Sequence, residues 1–311
     1  KQWATYLRIE FSLPKLVYGD NFNELDDSQF EQVVQMLGER LKRMGVSLPA
    51  EAIRKADVRS VHYSKNIVLS GGYTTSFVIG EIAKVNLNKR FDLTKVKYVE
   101  GESACFYTSA HSFIAYDKVA EVANTRKYTP EKERLLQQIE QVRKQQRGLE
   151  ILRLEVRLSR TYKLRSLFKT LGFDIPATFE SVFSCKKSQA VLLHYWNSMV
   201  AHNALALFAP TLGAKELLKQ IALVRPDAKH SSLVHDTGLL LLASDGGGMR
   251  ELRTILSARV SDRTWGRVAR EWRELSTDLA VLRPREWYGQ VVEQLGRYPP
   301  LRLEELLKVN Q

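Results

Sequence analysis

Residues 149–160, LEILRLEVRLSR, alternate apolar and charged side chains along most of their length. Leu152, Leu154, Val156 and Leu158 fall on one side of such a segment, and the charged residues between them fall on the other. A period of two is typical of a β-strand that buries one face. The segment therefore predicts a strand in a sheet, with its carboxylate and guanidinium groups pointing away from the apolar face.

The same alternation recurs near the start of the chain. Residues 5–13 (TYLRIEFSL) place Leu7, Ile9 and Phe11 on one side, which predicts a half-buried strand. Because strand and helix patterns mix without a regular βαβ order, we predict an α+β fold whose largely antiparallel central sheet is flanked by helices. Further strands are predicted at 58–69, 86–98 and 104–116, and helices at 27–44 and 131–147.

Strand patterns disappear after residue 162. The rest of the chain shows only helical spacing of its apolar residues. We therefore predict two domains, an α+β domain at residues 1–162 and an all-α domain at residues 163–311. The predicted helices lie at 164–171, 179–183, 188–207, 214–224, 248–257, 261–275 and 284–295.

The chain is strongly basic, with 47 Lys and Arg against 35 Asp and Glu and a net charge of +12. A polyanion, nucleic acid above all, is the expected partner, although a solvated surface without a partner has the same composition. Residues 249–275 predict two helices around a short break, which fits a helix-turn-helix or a plain helical hairpin. The candidate DNA-binding residues are Arg153, Arg157, Arg160, Lys163, Arg165, Arg263, Arg267 and Arg270.

Several functional classes lack their sequence signatures here. GxxxxGK[ST], HExxH, GxSxG and GxGxxG are all absent, which argues against P-loop hydrolysis, zincin proteolysis and α/β-hydrolase chemistry. No apolar stretch is long enough for a membrane helix, so no membrane partner is expected. Cys105 and Cys185 are the only cysteines, which fits a reducing compartment such as the cytoplasm.

Four polar residues lie within the predicted strands: Glu10, His62, Tyr116 and Glu155. Two carboxylates and an imidazole on one sheet face are suitable ligands for a divalent cation. Each residue also has an ordinary structural interpretation. The two glutamates have arginine neighbours with which to pair, and His62 fits a hydrogen-bonded core position.

Four segments together resemble a known family. YLRIEFSLPKLVYGDNF (6–22), VHYSKN (61–66), IAYDKVAE (114–121) and LRLEVRL (152–158) are similar, in this order, to the replication-initiation proteins of filamentous phages and related plasmids, the gene II/X family. The similarity extends over about residues 5–160. It implies that residues 1–162 form an HUH-like nuclease domain. The helical domain at residues 163–311 would then assist origin binding or assembly.

The resemblance also implies site residues. Tyr116 matches the family's tyrosine nucleophile and Lys118 the lysine two residues later. Glu10 and Glu155 match acidic strand positions, and His62 stands where relatives carry Asp. The implied Mg²⁺ or Mn²⁺ ligands are therefore Glu10, His62 and Glu155, although the chain has no His-hydrophobic-His triplet.

The implied activity is nicking of one DNA strand at a replication origin. It would leave a 5′-phosphotyrosyl linkage and a 3′-OH primer for rolling-circle replication. Expected partners are single-stranded or hairpin origin DNA, a host helicase and DNA polymerase in a bacterial cytoplasm, and in some assemblies a second copy of the chain. The alternatives are a non-catalytic sequence-specific DNA-binding protein and a related relaxase or transposase.

Other aromatic residues offer competing roles. Three other tyrosines are alternative nucleophiles, because each has a phenolic oxygen that could attack a phosphodiester: Tyr63, Tyr73 and Tyr107. Tyr98, Phe106 and Tyr107 provide flat faces on which DNA bases can stack, but core packing explains them equally well.

Overall fold

A computed structural model provides the structure of the chain. It describes residues 6–83, 96–99, 102–124, 129–145, 149–173, 177–200, 213–244, 248–256, 259–278 and 286–308.

The central element is a five-stranded antiparallel sheet with the order β1-β5-β4-β3-β2. The last strand along the chain therefore lies between β1 and β4, with a partner on each side. This confirms the prediction of an α+β fold with an antiparallel sheet. The strands are β1 (Val61–Leu69), β2 (Val96–Val99), β3 (Ser103–Tyr107), β4 (His111–Asp117) and β5 (Glu150–Leu158).

Fifteen helices occur in the parts of the chain given above. None of them, among the described residues, is both long and apolar enough to cross a membrane. They are α1 (Leu13–Tyr18), α2 (Phe30–Arg43), α3 (Ala50–Arg54), α4 (Thr75–Ala83), α5 (Lys118–Asn124), α6 (Pro130–Gln145), α7 (Thr161–Thr170), α8 (Phe179–Val182), α9 (Cys185–Met199), α10 (Ala214–Val224), α11 (His230–Ser244), α12 (Gly248–Leu256), α13 (Asp262–Asp278), α14 (Glu286–Arg297) and α15 (Leu303–Lys308).

The strand predictions had different outcomes. The patterns at 58–69 and 149–160 correspond to β1 and β5, and 104–116 covers β3 and β4. Most of 86–98 lies outside the described residues. The prediction at 5–13 is wrong for residues 6–12, which form neither strand nor helix and leave Leu7, Ile9 and Phe11 exposed. Alternation alone cannot form a strand without a hydrogen-bonded partner.

One face of the sheet carries the largest core. Leu152, Leu154, Val156 and Leu158 of β5 are fully buried there, together with residues of α4, α7, α9 and α14. The period of two places these four side chains on the same face, where apolar burial stabilises the fold. At one end of the opposite face, Val68 and Ile151 pack with α5 and α6.

The helices after residue 162 belong to different packing units. α7, α9 and α14 share the core of the sheet, and Leu303 of α15 packs with residues of α5 and α6. Among the described residues, α10–α13 form a cluster of their own, which includes Leu217, Leu240 and Trp265. The division into domains at 1–162 and 163–311 stays a prediction. A helical period shows that a face is apolar but not which element covers it.

Two glutamine side chains of α14 form hydrogen bonds with backbone groups along the outer edge of β1. Gln294 accepts from the Val68 backbone N–H at 2.9 Å and donates to the Val68 carbonyl at 2.8 Å. Gln290, one helical turn earlier, makes the same pair of contacts with Ser70. These side-chain amides form hydrogen bonds with backbone groups that could otherwise pair with a strand of another chain.

Candidate active site

Strand register brings residues from distant parts of the sequence into three rows on the polar face of the sheet. Neighbouring strands place directly paired residues on the same face, and residues two positions further along return to that face. From β1 across β5 and β4 to β3, the rows are His62–Arg157–Ser112–Tyr107, Ser64–Glu155–Ile114–Cys105 and Asn66–Arg153–Tyr116–Ser103.

Glu155 is the centre of this arrangement. Its Oε2 accepts a hydrogen bond from the Tyr116 hydroxyl at 3.0 Å, and its Oε1 accepts from Arg157 Nε at 2.7 Å. His62 Nδ1 lies 3.5 Å from the same Oε1. Burial alone would raise the pKa of Glu155, but the Arg157 charge and these hydrogen bonds hold it below its ordinary value. The carboxylate is therefore ionised and can accept a proton.

Tyr116 is a neutral phenol at physiological pH. Burial raises its pKa well above the ordinary value of 10.0, and the nearby Glu155 carboxylate raises it further. The Arg153 cation acts in the opposite direction. Because a neutral phenol is a weak nucleophile, attack by Tyr116 requires a group that removes its proton. Glu155 Oε2 is within hydrogen-bonding distance of that proton.

Lys118 is fully buried at the first residue of α5, directly after β4. Its Nζ donates to Glu121 Oε2 at 2.6 Å. Burial, together with the Arg153 charge, lowers the pKa of Lys118 to about 8. Tyr116 belongs to the strand and Lys118 to the helix, yet both side chains are influenced by Arg153 and Glu155. The two side chains are thus linked through these shared neighbours.

Arg153 belongs to the polar face, but its side chain is buried. Its two terminal nitrogens donate to the Asn21 carbonyl at 2.5 Å and to the Ser64 hydroxyl at 2.6 Å. Both acceptors are neutral, so the positive charge remains available to the surrounding groups. The prediction that Arg153 contacts DNA is not supported by this position. Ser64 was missed by the sequence analysis, although its place two residues after His62 put it on the same face.

The predicted metal ligands are only partly brought together. His62 and Glu155 are neighbours, whereas the Glu10 side chain is 84% exposed on the extended segment 6–12 and pairs with Arg8 at 3.4 Å. Within the described part of the chain, no three His, Cys, Asp or Glu side chains form a group able to hold a metal ion. Binding of Mg²⁺ or Mn²⁺ by Glu10, His62 and Glu155 therefore stays a prediction.

The remaining candidate DNA-binding residues lie mostly on the surface. Arg157, Arg160 and Arg165 are exposed and Lys163 is half-buried, near the end of β5 and in α7. α12 and α13 are joined by a short connection, as the helix-break-helix pattern predicted. Exposed positions of α13 include Arg263, Arg267 and Arg270.

The other aromatic candidates are now distinguished by burial. Tyr63 is buried with its hydroxyl bonded to the Val182 carbonyl at 2.9 Å, and Phe106 is a core residue. Tyr73 is half-buried against the main core. The side chain of Tyr98 lies outside the described residues. Tyr107 is 39% exposed, which leaves its ring accessible on the polar face.

A groove of about 570 Å³ lies away from these residues, between α5 and α6. Its lining includes Val119, Leu136 and Lys144 but none of the residues that contact Glu155. Its volume therefore has no direct relation to the chemistry of the polar face.

Comparison with known proteins gives no relative. No family model, no curated protein and no solved structure matches this chain.

Proposed function

We propose that the protein is a metal-dependent, site-specific endonuclease and ligase for single-stranded DNA, with Tyr116 as nucleophile, which initiates rolling-circle replication. The observation that carries the proposal is the 3.0 Å hydrogen bond from the Tyr116 hydroxyl to Glu155. Arg157 and His62 contact the other oxygen of the same carboxylate. A nucleophile, a proton acceptor and groups that orient the acceptor are the usual components of covalent catalysis.

The phenolic oxygen of Tyr116 attacks the phosphorus of a DNA phosphodiester while its proton passes to Glu155 Oε2, and the bond from phosphorus to the 3′-oxygen breaks. The 3′-oxygen takes a proton from water, which regains one from Glu155, and becomes a free 3′-OH, while the 5′-phosphate stays on Tyr116. Because the phosphodiester energy is retained in the tyrosyl ester, the reverse reaction reseals the strand. The 3′-OH is the primer for a host DNA polymerase, with a helicase opening the duplex.

The charges around Tyr116 suit an anionic substrate. Arg153 lies close enough to influence its pKa, Lys118 directly follows β4, and Arg157 is held by Glu155. A divalent cation, when bound, would neutralise charge on the attacked phosphate. His62 and Glu155 would be its neighbouring ligands, and the Glu10 carboxylate, whose charge acts on His62, would be the third.

Substitution of Tyr116 by Phe tests this proposal. A randomised, end-labelled single-stranded oligonucleotide library is incubated with Mn²⁺, and covalent adducts are separated under denaturing conditions. Wild type is expected to form an adduct whose peptide contains Tyr116 by mass spectrometry, and Tyr116→Phe is expected to form none while still binding DNA. Tyr107→Phe is the matched control, because it removes a phenol from the same face.

Two results would contradict the proposal. Adduct formation through another tyrosine would exclude Tyr116 as the nucleophile. A wild-type protein that binds the library but never becomes linked to it would favour the second candidate function, a non-catalytic sequence-specific DNA-binding protein. The exposed Arg263, Arg267 and Arg270 of α13 and the partial burial of Tyr116 are the observations that favour this second function.

A further inference from the structure

The row His62–Arg157–Ser112–Tyr107 forms the solvent-accessible side of the polar face. The side chains of His62 and Arg157 are 54% and 44% exposed, and Tyr107 is 39% exposed as a whole residue. In the next row Glu155 and Ile114 are already buried. His62, Arg157 and Tyr107 are thus the exposed side chains of this row, whereas Ser112 between them is buried.

The row crosses four neighbouring strands from β1 to β3. Three strand spacings of about 4.8 Å give a width of roughly 14 Å perpendicular to the strands. Arg157 is fixed by its Nε bond to Glu155, which leaves its terminal nitrogens without a hydrogen bond among the described residues. Such a guanidinium is available to a phosphate. The ring of Tyr107 lies two strands away on the same face.

Two arginines lie near the row at the same end of the sheet. Val61 of β1 pairs with Leu158 of β5, so the residues just before β1 and just after β5 lie near each other. Arg59 and Arg160 occupy these positions and both are exposed, with the Arg59 guanidinium 5.1 Å from the centroid of the Tyr6 ring. A strip with an aromatic ring, an anchored arginine and flanking cations has the chemistry that binds a single nucleic-acid strand, by stacking on bases and neutralising phosphates.

We propose that a single DNA strand crosses the sheet along the row His62–Arg157–Ser112–Tyr107, with a base stacked on the ring of Tyr107 and the adjoining phosphate on Arg157. The inference rests on the proposed function, whose substrate it positions. Tyr107 is here a substrate-binding residue, and it takes no part in the transfer of the phosphate. This row lies next to that of Glu155, to which the Tyr116 hydroxyl is hydrogen-bonded.

The direct test measures binding of fluorescein-labelled oligo(dT) to the full chain without Mn²⁺. Tyr107→Ala is expected to weaken binding roughly 5- to 150-fold, the effect of losing one stacked base. Tyr107→Phe and Tyr107→Trp retain a ring and are expected to bind like wild type. Phe77→Ala is the matched control, because Phe77 is 40% exposed and lies on α4, which packs against the opposite face.

A photochemical experiment locates the contact. Oligo(dT) that contains 5-iododeoxyuridine is irradiated with the protein, and the crosslinked peptide is identified by mass spectrometry. We expect the peptide that includes Tyr107, and no such crosslink with Tyr107→Ala. Circular dichroism of each variant checks that the fold is retained.

The possible failures are distinguishable. If wild type binds oligo(dT) and forms the Tyr116 adduct but Tyr107→Ala binds like Phe77→Ala, this inference is wrong and the proposed function stands. If wild type does not bind single-stranded DNA at all, both are wrong. A change of oligomeric state in Tyr107→Ala, measured by size-exclusion chromatography with DNA binding unaltered, would instead identify the row as a protein interface.

Discussion

The two faces of β5 are built from alternate residues of one short segment, but they have different roles. Leu152, Leu154, Val156 and Leu158 are fully buried against helices. On the other face, Glu155 contacts groups from β1 and β4. Since one backbone positions both sets, the register that packs the leucines also aligns the carboxylate with Tyr116. Substitutions on the two faces should therefore have separable effects, on stability for one face and on chemistry for the other.

The largest expected effect is on the polar face. Glu155→Gln removes the proton acceptor of Tyr116, and the rate of adduct formation is expected to fall about 10²–10⁴-fold. Glu10→Gln makes the same chemical change on an exposed carboxylate and is expected to lower the rate less than about tenfold. Both rates are measured in single-turnover reactions over a range of Mn²⁺ concentrations. An equally large loss in Glu10→Gln would mean that segment 6–12 joins the site during catalysis.

The next largest expected effect is a loss of stability after truncation of a leucine on the apolar face. Leu154→Ala is expected to lower the free energy of unfolding by about 2–5 kcal/mol, because it leaves a cavity under the sheet. Leu223→Ala is the matched control, since Leu223 is 73% exposed and its truncation should change stability by less than about 0.5 kcal/mol. Urea unfolding measures both values. If Leu154→Ala were as stable as the control, the described packing of this face would be wrong.

The smallest effect is a pH dependence due to Lys118. Its pKa is lowered to about 8 in the folded protein from an ordinary value of 10.5, so between these values the unfolded chain binds a proton that the folded chain has lost. Stability of wild type should therefore rise relative to Lys118→Met as pH increases from about 8 to 10.5, by at most about 3 kcal/mol. Urea unfolding across this range provides the measurement. Lys169→Met, at an exposed position of α7, should give a curve parallel to wild type.

Local sequence patterns predicted strands β1 and β5 of the site better than they predicted the helices around the sheet or the order of the strands. β1 and β5 were recognised because alternation reflects a buried face, and this alone placed His62 and Glu155 on the same kind of surface. Helices α4 and α11 were missed, because TSFVIGEIA and the LLLLA run of α11 are apolar on several sides and show no clear period. The order of the strands, and hence the contact of Tyr116 with Glu155, depends on long-range pairing that no local period contains.

The hydrogen bonds from Gln290 and Gln294 to the edge of β1 can form only late in synthesis of the chain. These residues are translated more than two hundred positions after the strand that they cover. A nascent chain therefore emerges from the ribosome with part of its first strand unprotected, and exposed strand edges pair readily with other chains. Premature termination before residue 286 would leave that edge permanently uncovered. Truncated products of this gene should consequently be prone to aggregation.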